Sequence, residues 1–261
     1  MEAFQPLSVI DGHFHMHTPL SRMDFVTNLG NIIEACGVDA IAIMSSTGAG
    51  HLNENLVTAL CKAKYPEQVY AFGGLHYHLP ACPPEKIDLA GQARKLRQIG
   101  FDGMKMIEGK PTVRQKLGHR LDAPIYDAYY AYLEAERIPL MLHVADPDSH
   151  WQGQAADTFP AKEDLYAEAD GVLAKFPRLH IIFAHFYFMA HDLERAGRFL
   201  DRHPTVSFDL TPGPGMYASF ASAPGKAREF FIRYQDRIVF GTDNVCGEFN
   251  HLQSLHLRRD Q

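Results

Sequence analysis

Three histidines within five positions, His13, His15 and His17, follow Asp11 in the stretch SVIDGHFHMH. An imidazole offers one lone pair to a metal, and on an extended segment residues two apart share a side, so two of these rings can approach one ion. Asp11, His13, His15 and His17 all have that parity, with Gly12 and Phe14 opposite, so periodicity alone leaves two overlapping pairs. Further along, His143 closes the apolar run PLMLHV, His185 closes HIIFAH and Asp243 follows RIVFGT, while Lys105 stands in FDGMKM. A ring or carboxylate in such greasy surroundings must find a partner or a metal. Nitrogen and oxygen donors without thiolate suit zinc, manganese, iron or another divalent first-row ion.

These residues need a scaffold that brings them together. Short runs rich in Val, Ile and Phe predict eight strands, at 6–11, 39–44, 69–74, 101–106, 139–144, 180–185, 205–210 and 237–242. Their starts lie about 25 to 40 residues apart, too far for hairpins and right for strand–helix units. Helical stretches fill the gaps. Phe25, Leu29, Ile32, Ile33 and Cys36 share a face that stops at Gly37, and Leu89, Ala93, Leu96 and Ile99 share one that stops at Gly100. Similar helices are expected over 125–138, 162–177 and 193–204. The expectation is an α/β fold, a (β/α)8 TIM barrel with residues 1–261 as one domain, whose chemistry gathers at the C-terminal ends of the strands. An open doubly wound sheet is the alternative, but it would usually carry a Gly-rich phosphate turn after Asp11, where there is none. Only 18 residues follow Asp243, so the last helix should be abbreviated.

Taken in order, Asp11-x-His13-x-His15, then His143, His185 and Asp243, the chain resembles the amidohydrolase superfamily of metal-dependent (β/α)8 barrels. The short N-terminus and the Gly-Thr-Asp ending resemble its amidohydrolase 2 branch, which includes aminocarboxymuconate semialdehyde decarboxylases and related hydrolases and lactonases. The resemblance implies metal ligation by His13, His15, His143 and Asp243, with Asp243 also taking a proton from water. It implies that His185 is either a ligand to a second metal or an acid/base and substrate-polarising residue. Asp11 sets the frame that selects His13 and His15 as the gripping pair. Thr18-Pro19 suggests the chain has left the strand by His17, which becomes a rim residue. Lys105 matches a strand-four lysine that bridges two metals when carboxylated. Unmodified, its ammonium would hold a substrate carboxylate instead. One divalent ion is the expectation, zinc first and manganese or iron next, with two ions as the alternative.

The implied chemistry is hydrolysis of a lactone, ester or amide of a small, carboxylated substrate through a metal-activated water. Asp243 and His185 would be the catalytic pair. Non-oxidative decarboxylation uses the same parts and is the alternative. A catalytically inactive metal-binding barrel is a third reading, from another class. Selectivity falls to the loops. Arg114 is the candidate clamp for a substrate carboxylate. His76, His78, Trp151 and His17 are the other substrate-facing candidates. A net charge of -6 and the lack of a basic block exclude an expectation of nucleic acid. Cys36, Cys61, Cys82 and Cys246 are scattered, with no CxxC, and read as reduced thiols. No secretory leader is legible in MEAFQPLSVID and no apolar run reaches about 20 residues, so a cytoplasmic protein without a membrane span is expected, with small molecules as partners and self-association left open.

Overall fold

In the computed structural model, residues 8–16, 24–47, 53–77, 87–152, 158–211 and 215–246 are described. Apolar residues alternate along almost every strand, and this alternation builds the layers. On β2 (Ala40–Met44), Ile41 and Ile43 face outward to helices while Ala42 and Met44 face inward. On β5 (Leu140–Val144), Leu140, Leu142 and Val144 join the outer core while Met141 joins the inner one. The same period places Phe14 and Met16 of β1 (Ile10–Met16) outward, which turns His13 and His15 inward. Met104 and Met106 of β4 (Gly103–Gly109) likewise turn Lys105 inward.

The remaining strands are β3 (Val69–Gly74), β6 (Ile181–Phe183), β7 (Val206–Asp209), β8 (Ile238–Val239) and β9 (Asn244–Cys246). Every pairing is parallel, in the order β8-β7-β6-β5-β4-β3-β2-β1-β9. Segment 238–246 pairs with β7 at its start and with β1 at its end, so both edges of the sheet meet on one stretch of chain. The sheet therefore curls into a (β/α)8-type barrel. Asp11 laces this seam: its carboxylate accepts from the Thr242 amide at 3.0 Å, the Thr242 hydroxyl at 2.6 Å and the His13 amide at 3.1 Å. Gly12 lies so close to segment 238–246 that a Cβ would sit 2.5 Å from Val239 and 2.9 Å from the Phe240 carbonyl oxygen.

Among the described residues there are nine helices. Five fall where periodicity predicts them: α1 (Asp24–Cys36), α3 (Leu89–Gln98), α5 (Asp127–Glu136), α6 (Lys162–Lys175) and α7 (Leu193–Arg202). Four others add to the sequence reading. α2 (Glu54–Lys64) fills the gap between β2 and β3, and α8 (Met216–Ser222) and α9 (Pro224–Arg233) follow β7. α4 (Pro111–Leu117) forms where a loop was expected, because Pro111 starts it and Gly118, at φ 73°, stops it. Strand ends also shift. β1 runs on to Met16 because His15 and Met16 pair with Val245 and Cys246. The eighth strand is short and breaks at residues 240–243. The abbreviated last helix lies outside the described residues.

Candidate metal centre

Parity on β1 sends both histidine rings into the barrel, and the break after β8 turns Asp243 toward them at φ 51°. His13 Nε2 lies 3.1 Å from His15 Nε2, and Asp243 Oδ1 lies 3.4 and 3.2 Å from the two. One donor atom from each of the three residues falls within 4.8 Å of the others, a group able to hold a divalent cation.

Partners on the far sides of the rings decide what faces the centre. His13 Nδ1 donates to Asp209 Oδ2 at 2.7 Å, and His15 Nδ1 donates to the Met44 carbonyl at 2.9 Å. With both Nδ1 atoms carrying protons, both Nε2 atoms present lone pairs. His185 repeats the pattern. The Thr211 hydroxyl donates to Asp209 Oδ1 at 2.6 Å, so its oxygen accepts from His185 Nδ1 at 2.9 Å. His185 Nε2 then faces Asp243 Oδ2 at 3.9 Å. Three ring nitrogens and a carboxylate thus converge, a donor set that fits a divalent ion. Lys105 brings the chain's own cation to this point, its Nζ donating to His13 Nε2 at 3.1 Å.

Burial sets the charges. It lowers His13 to about 4, helped by Lys105, and lowers His185 to about 4, helped by His143, so both rings are neutral at pH 7. It lowers Lys105 to about 8. Burial works to raise Asp243, yet its contact with His15 and the neighbouring rings hold it well below the carboxylate range. Burial likewise opposes ionisation of Asp209, and the His13 ring and Thr211 hydroxyl hold it at about 2.

His143 lies beside this group, its ring 4.9 Å from that of His185, but its Nε2 is turned to the Ala145 carbonyl at 2.9 Å and Asp146 Oδ1 at 3.3 Å. Asp146 is in turn gripped by Lys110 at 2.8 and 3.0 Å. Arg114 does not reach the centre: its Nε donates to both oxygens of buried Glu168 at 3.1 and 3.0 Å. Half-buried His76 has Asn55 Nδ2 3.4 Å from its Nε2, and Trp151 donates to the Pro160 carbonyl at 3.0 Å. His17 and His78 lie outside the described residues. Sequence reasoning passed over Asp209, although a carboxylate next to the end of the run TVSFDL carries a signal similar to Asp243 after RIVFGT.

The Amidohydrolase family profile matches residues 10–259. This chain belongs to that family. Its fold is similar to that of a 2,6-dihydroxybenzoate decarboxylase from Rhizobium, at 15% identity and TM-score 0.58 over 96% of this chain and 91% of the other. A dihydroxybenzoic acid decarboxylase from Polaromonas sp. JS666, with bound manganese and the inhibitor 2-nitroresorcinol, gives 14% identity and TM-score 0.58 over 96% and 90%. A 4-oxalomesaconate hydratase from Rhodopseudomonas palustris gives 16% and 0.57 over 90% and 81%. No curated protein sequence matches the chain. Among the described residues of this amidohydrolase, no helix is long and apolar enough to cross a membrane.

Proposed function

We propose that this amidohydrolase is a metal-dependent lyase that removes carbon dioxide from a small, planar, carboxylated substrate. The observation that carries the reading is the convergence of the His13, His15 and His185 lone pairs on Asp243, each ring fixed from behind. In support, the named structural relatives include decarboxylases and a hydratase of carboxylated molecules, one of them with manganese. His13, His15 and Asp243 would hold the ion, zinc or manganese, and His143 would join them only once its Nε2 leaves the Ala145 carbonyl and Asp146. When bound, the ion supplies positive charge against which substrate oxygens are polarised and acidified.

The chain's own residues supply the rest. In decarboxylation the bond to the carboxylate carbon breaks, the electron pair stays on the ring carbon, and that carbon takes a proton. Asp243, ionised at neutral pH, can take a proton from an acidic substrate hydroxyl or water and pass it to that carbon. His185, neutral and anchored through Thr211, orients the substrate beside Asp243. Lys105 keeps an ammonium at the inner wall, facing incoming anionic charge. The same ionised Asp243 favours a second reading, hydrolysis of a lactone, ester or amide, in which it takes the proton of the attacking water.

Incubating the zinc- or manganese-loaded protein with a panel of hydroxylated benzoates, lactones, esters and amides separates the two. One carbon dioxide per product, lost in Asp243→Asn, is the expected result. Lactone or ester hydrolysis without carbon dioxide release would move the assignment to hydrolase. Neither reaction with any panel member would overturn both.

A further inference from the structure

A cavity of about 350 Å³ opens beside His185, at the small end of ligand pockets. Asp148, Lys162, Phe188, Met216 and Ser219 line it with His185. An unusual backbone builds its inner wall. Four successive non-glycine residues, His185, Phe186, Tyr187 and Phe188, have φ between 48° and 58°. Each left-handed residue costs about 1–2 kcal/mol. Aromatic packing holds the turn: Phe186 lies 5.2 Å from Phe208 and 5.0 Å from Phe220, while Tyr187 stacks on Phe183 at 4.1 Å. With those two rings buried in the core, His185 and Phe188 emerge together, their ring centroids 5.2 Å apart.

Lys162 also stands against Phe188, its Nζ 5.9 Å from that ring and 6.0 Å from Tyr166. The ion pair it makes is lopsided. Its side chain is 15% exposed, whereas Asp148, 2.6 Å from its Nζ, is 70% exposed. An exposed carboxylate returns to water at little cost, so this pair is worth little, while the ammonium stays in the cavity wall with donors to spare. Phe188 thus neighbours both His185 and a cation whose present partner is easily displaced.

We propose that Lys162 anchors a second carboxylate: the substrate is a small planar dianion, its reacting end at His185 and Asp243, its ring against Phe188, its far carboxylate on Lys162 in place of Asp148. This deepens the lyase reading and rests on it for the reacting end alone.

The test is calorimetric titration of the metal-free and manganese-loaded protein with benzoate and with isophthalate. The wild-type protein should bind isophthalate at least about tenfold more tightly than benzoate, the scale of one charge-assisted contact. Lys162→Met should remove that preference, weakening isophthalate far more than benzoate. Asp148→Asn, which keeps the ammonium and removes its internal competitor, should tighten isophthalate several-fold. Equal affinity for the two acids in the wild-type protein would overturn the anchor. So would isophthalate binding that is indifferent to Lys162→Met, or, should that variant unfold, to Asp148→Asn. A Lys162-dependent preference without carbon dioxide release from any acid would sustain the anchor and defeat the lyase reading. Carbon dioxide release with no such preference would do the reverse.

Discussion

Two buried carboxyl groups, Asp209 at the end of β7 and Glu108 near the end of β4, have nearly equal burial and opposite shifts in acidity. Asp209 is 0% exposed and Glu108 is 1% exposed. Four donors converge on Asp209: His13 Nδ1 at 2.7 Å, the His185 amide at 2.6 Å, the Thr211 amide at 3.1 Å and the Thr211 hydroxyl at 2.6 Å. Glu108 has one side-chain donor, the Tyr77 hydroxyl at 2.7 Å on Oε1, and its Oε2 has no hydrogen-bond partner. Asp209 is accordingly held at about 2, against burial, while burial pushes Glu108 up to about 7 despite Tyr77. Burial alone does not mark a working carboxylate. The convergence of donors does, because it keeps the charge on and, through the donors, fixes which nitrogen of each ring carries the proton.

Replacing each carboxyl by its amide should break the symmetry. Asp209→Asn places an amide group where up to four donors point, leaving buried donors unpaired. The expected cost is about 3–5 kcal/mol of stability, the range for breaking a buried ionic network. Affinity for zinc or manganese should fall about 10–100-fold as the His13 tautomer is released. Because the folded pKa lies below the ordinary 3.8, the wild-type contribution is present above that value and is lost as pH falls through about 2. Urea unfolding at pH 7 and metal titration together check this; unchanged metal affinity would remove Asp209 from the centre.

Glu108→Gln should act in the opposite sense. The folded pKa lies above the ordinary 4.5, so the folded state holds a proton that the unfolded state has released. Wild-type stability therefore declines as pH rises from about 4.5 to about 7 and stays reduced above. The amide carries no such penalty. At pH 8 the variant should be more stable by up to about 3 kcal/mol, with the advantage gone below pH 4.5. Unfolding curves that run parallel at all pH values would show that Glu108 is already charged.

Much of this is legible in the amino-acid sequence. The period-two alternation that places Phe14 outward and His13 and His15 inward is a property of the β1 sequence, and the resemblance to amidohydrolases supplied the frame that joins them to Asp243. The geometry that singles out Asp209 was not legible. Its role depends on Thr211, on the His185 amide and on a ring that is 196 positions away in the chain, and no local pattern encodes such a meeting. The left-handed turn at 185–188 was hidden for a similar reason. Its residues are poor left-handed formers, held there by Phe208, Phe220 and Phe183, which belong to other parts of the chain. Arg114 looked like a substrate clamp from its loop position; the partner that engages it, Glu168, comes from α6.

A smaller change tests how many of the four donors Asp209 needs. Thr211→Val keeps the shape and removes one hydroxyl. It should cost about 1.5–3 kcal/mol, the range for a hydrogen bond to a charged group. The His185 ring loses its anchor at Nδ1 while His13 keeps its own. Metal affinity, read by titration, should therefore change less than in Asp209→Asn. An equal loss would mean that His185 orientation, rather than the His13 tautomer, governs the centre.

The smallest effect belongs to the single side-chain donor on Glu108. Tyr77→Phe removes a hydroxyl whose partner is neutral below pH 7, so the loss should be only about 0.5–1.5 kcal/mol. The hydrogen bond lowers the Glu108 pKa, so its removal should move that pKa up from about 7 and carry the decline in stability to higher pH. Measured by urea unfolding from pH 5 to 9, the gap between Tyr77→Phe and wild type should widen as pH rises through 7, because the Tyr77 hydrogen bond strengthens once its acceptor is ionised. A gap that narrows instead would mean that Glu108 finds another donor when charged, and its unpaired Oε2 would no longer distinguish it from Asp209.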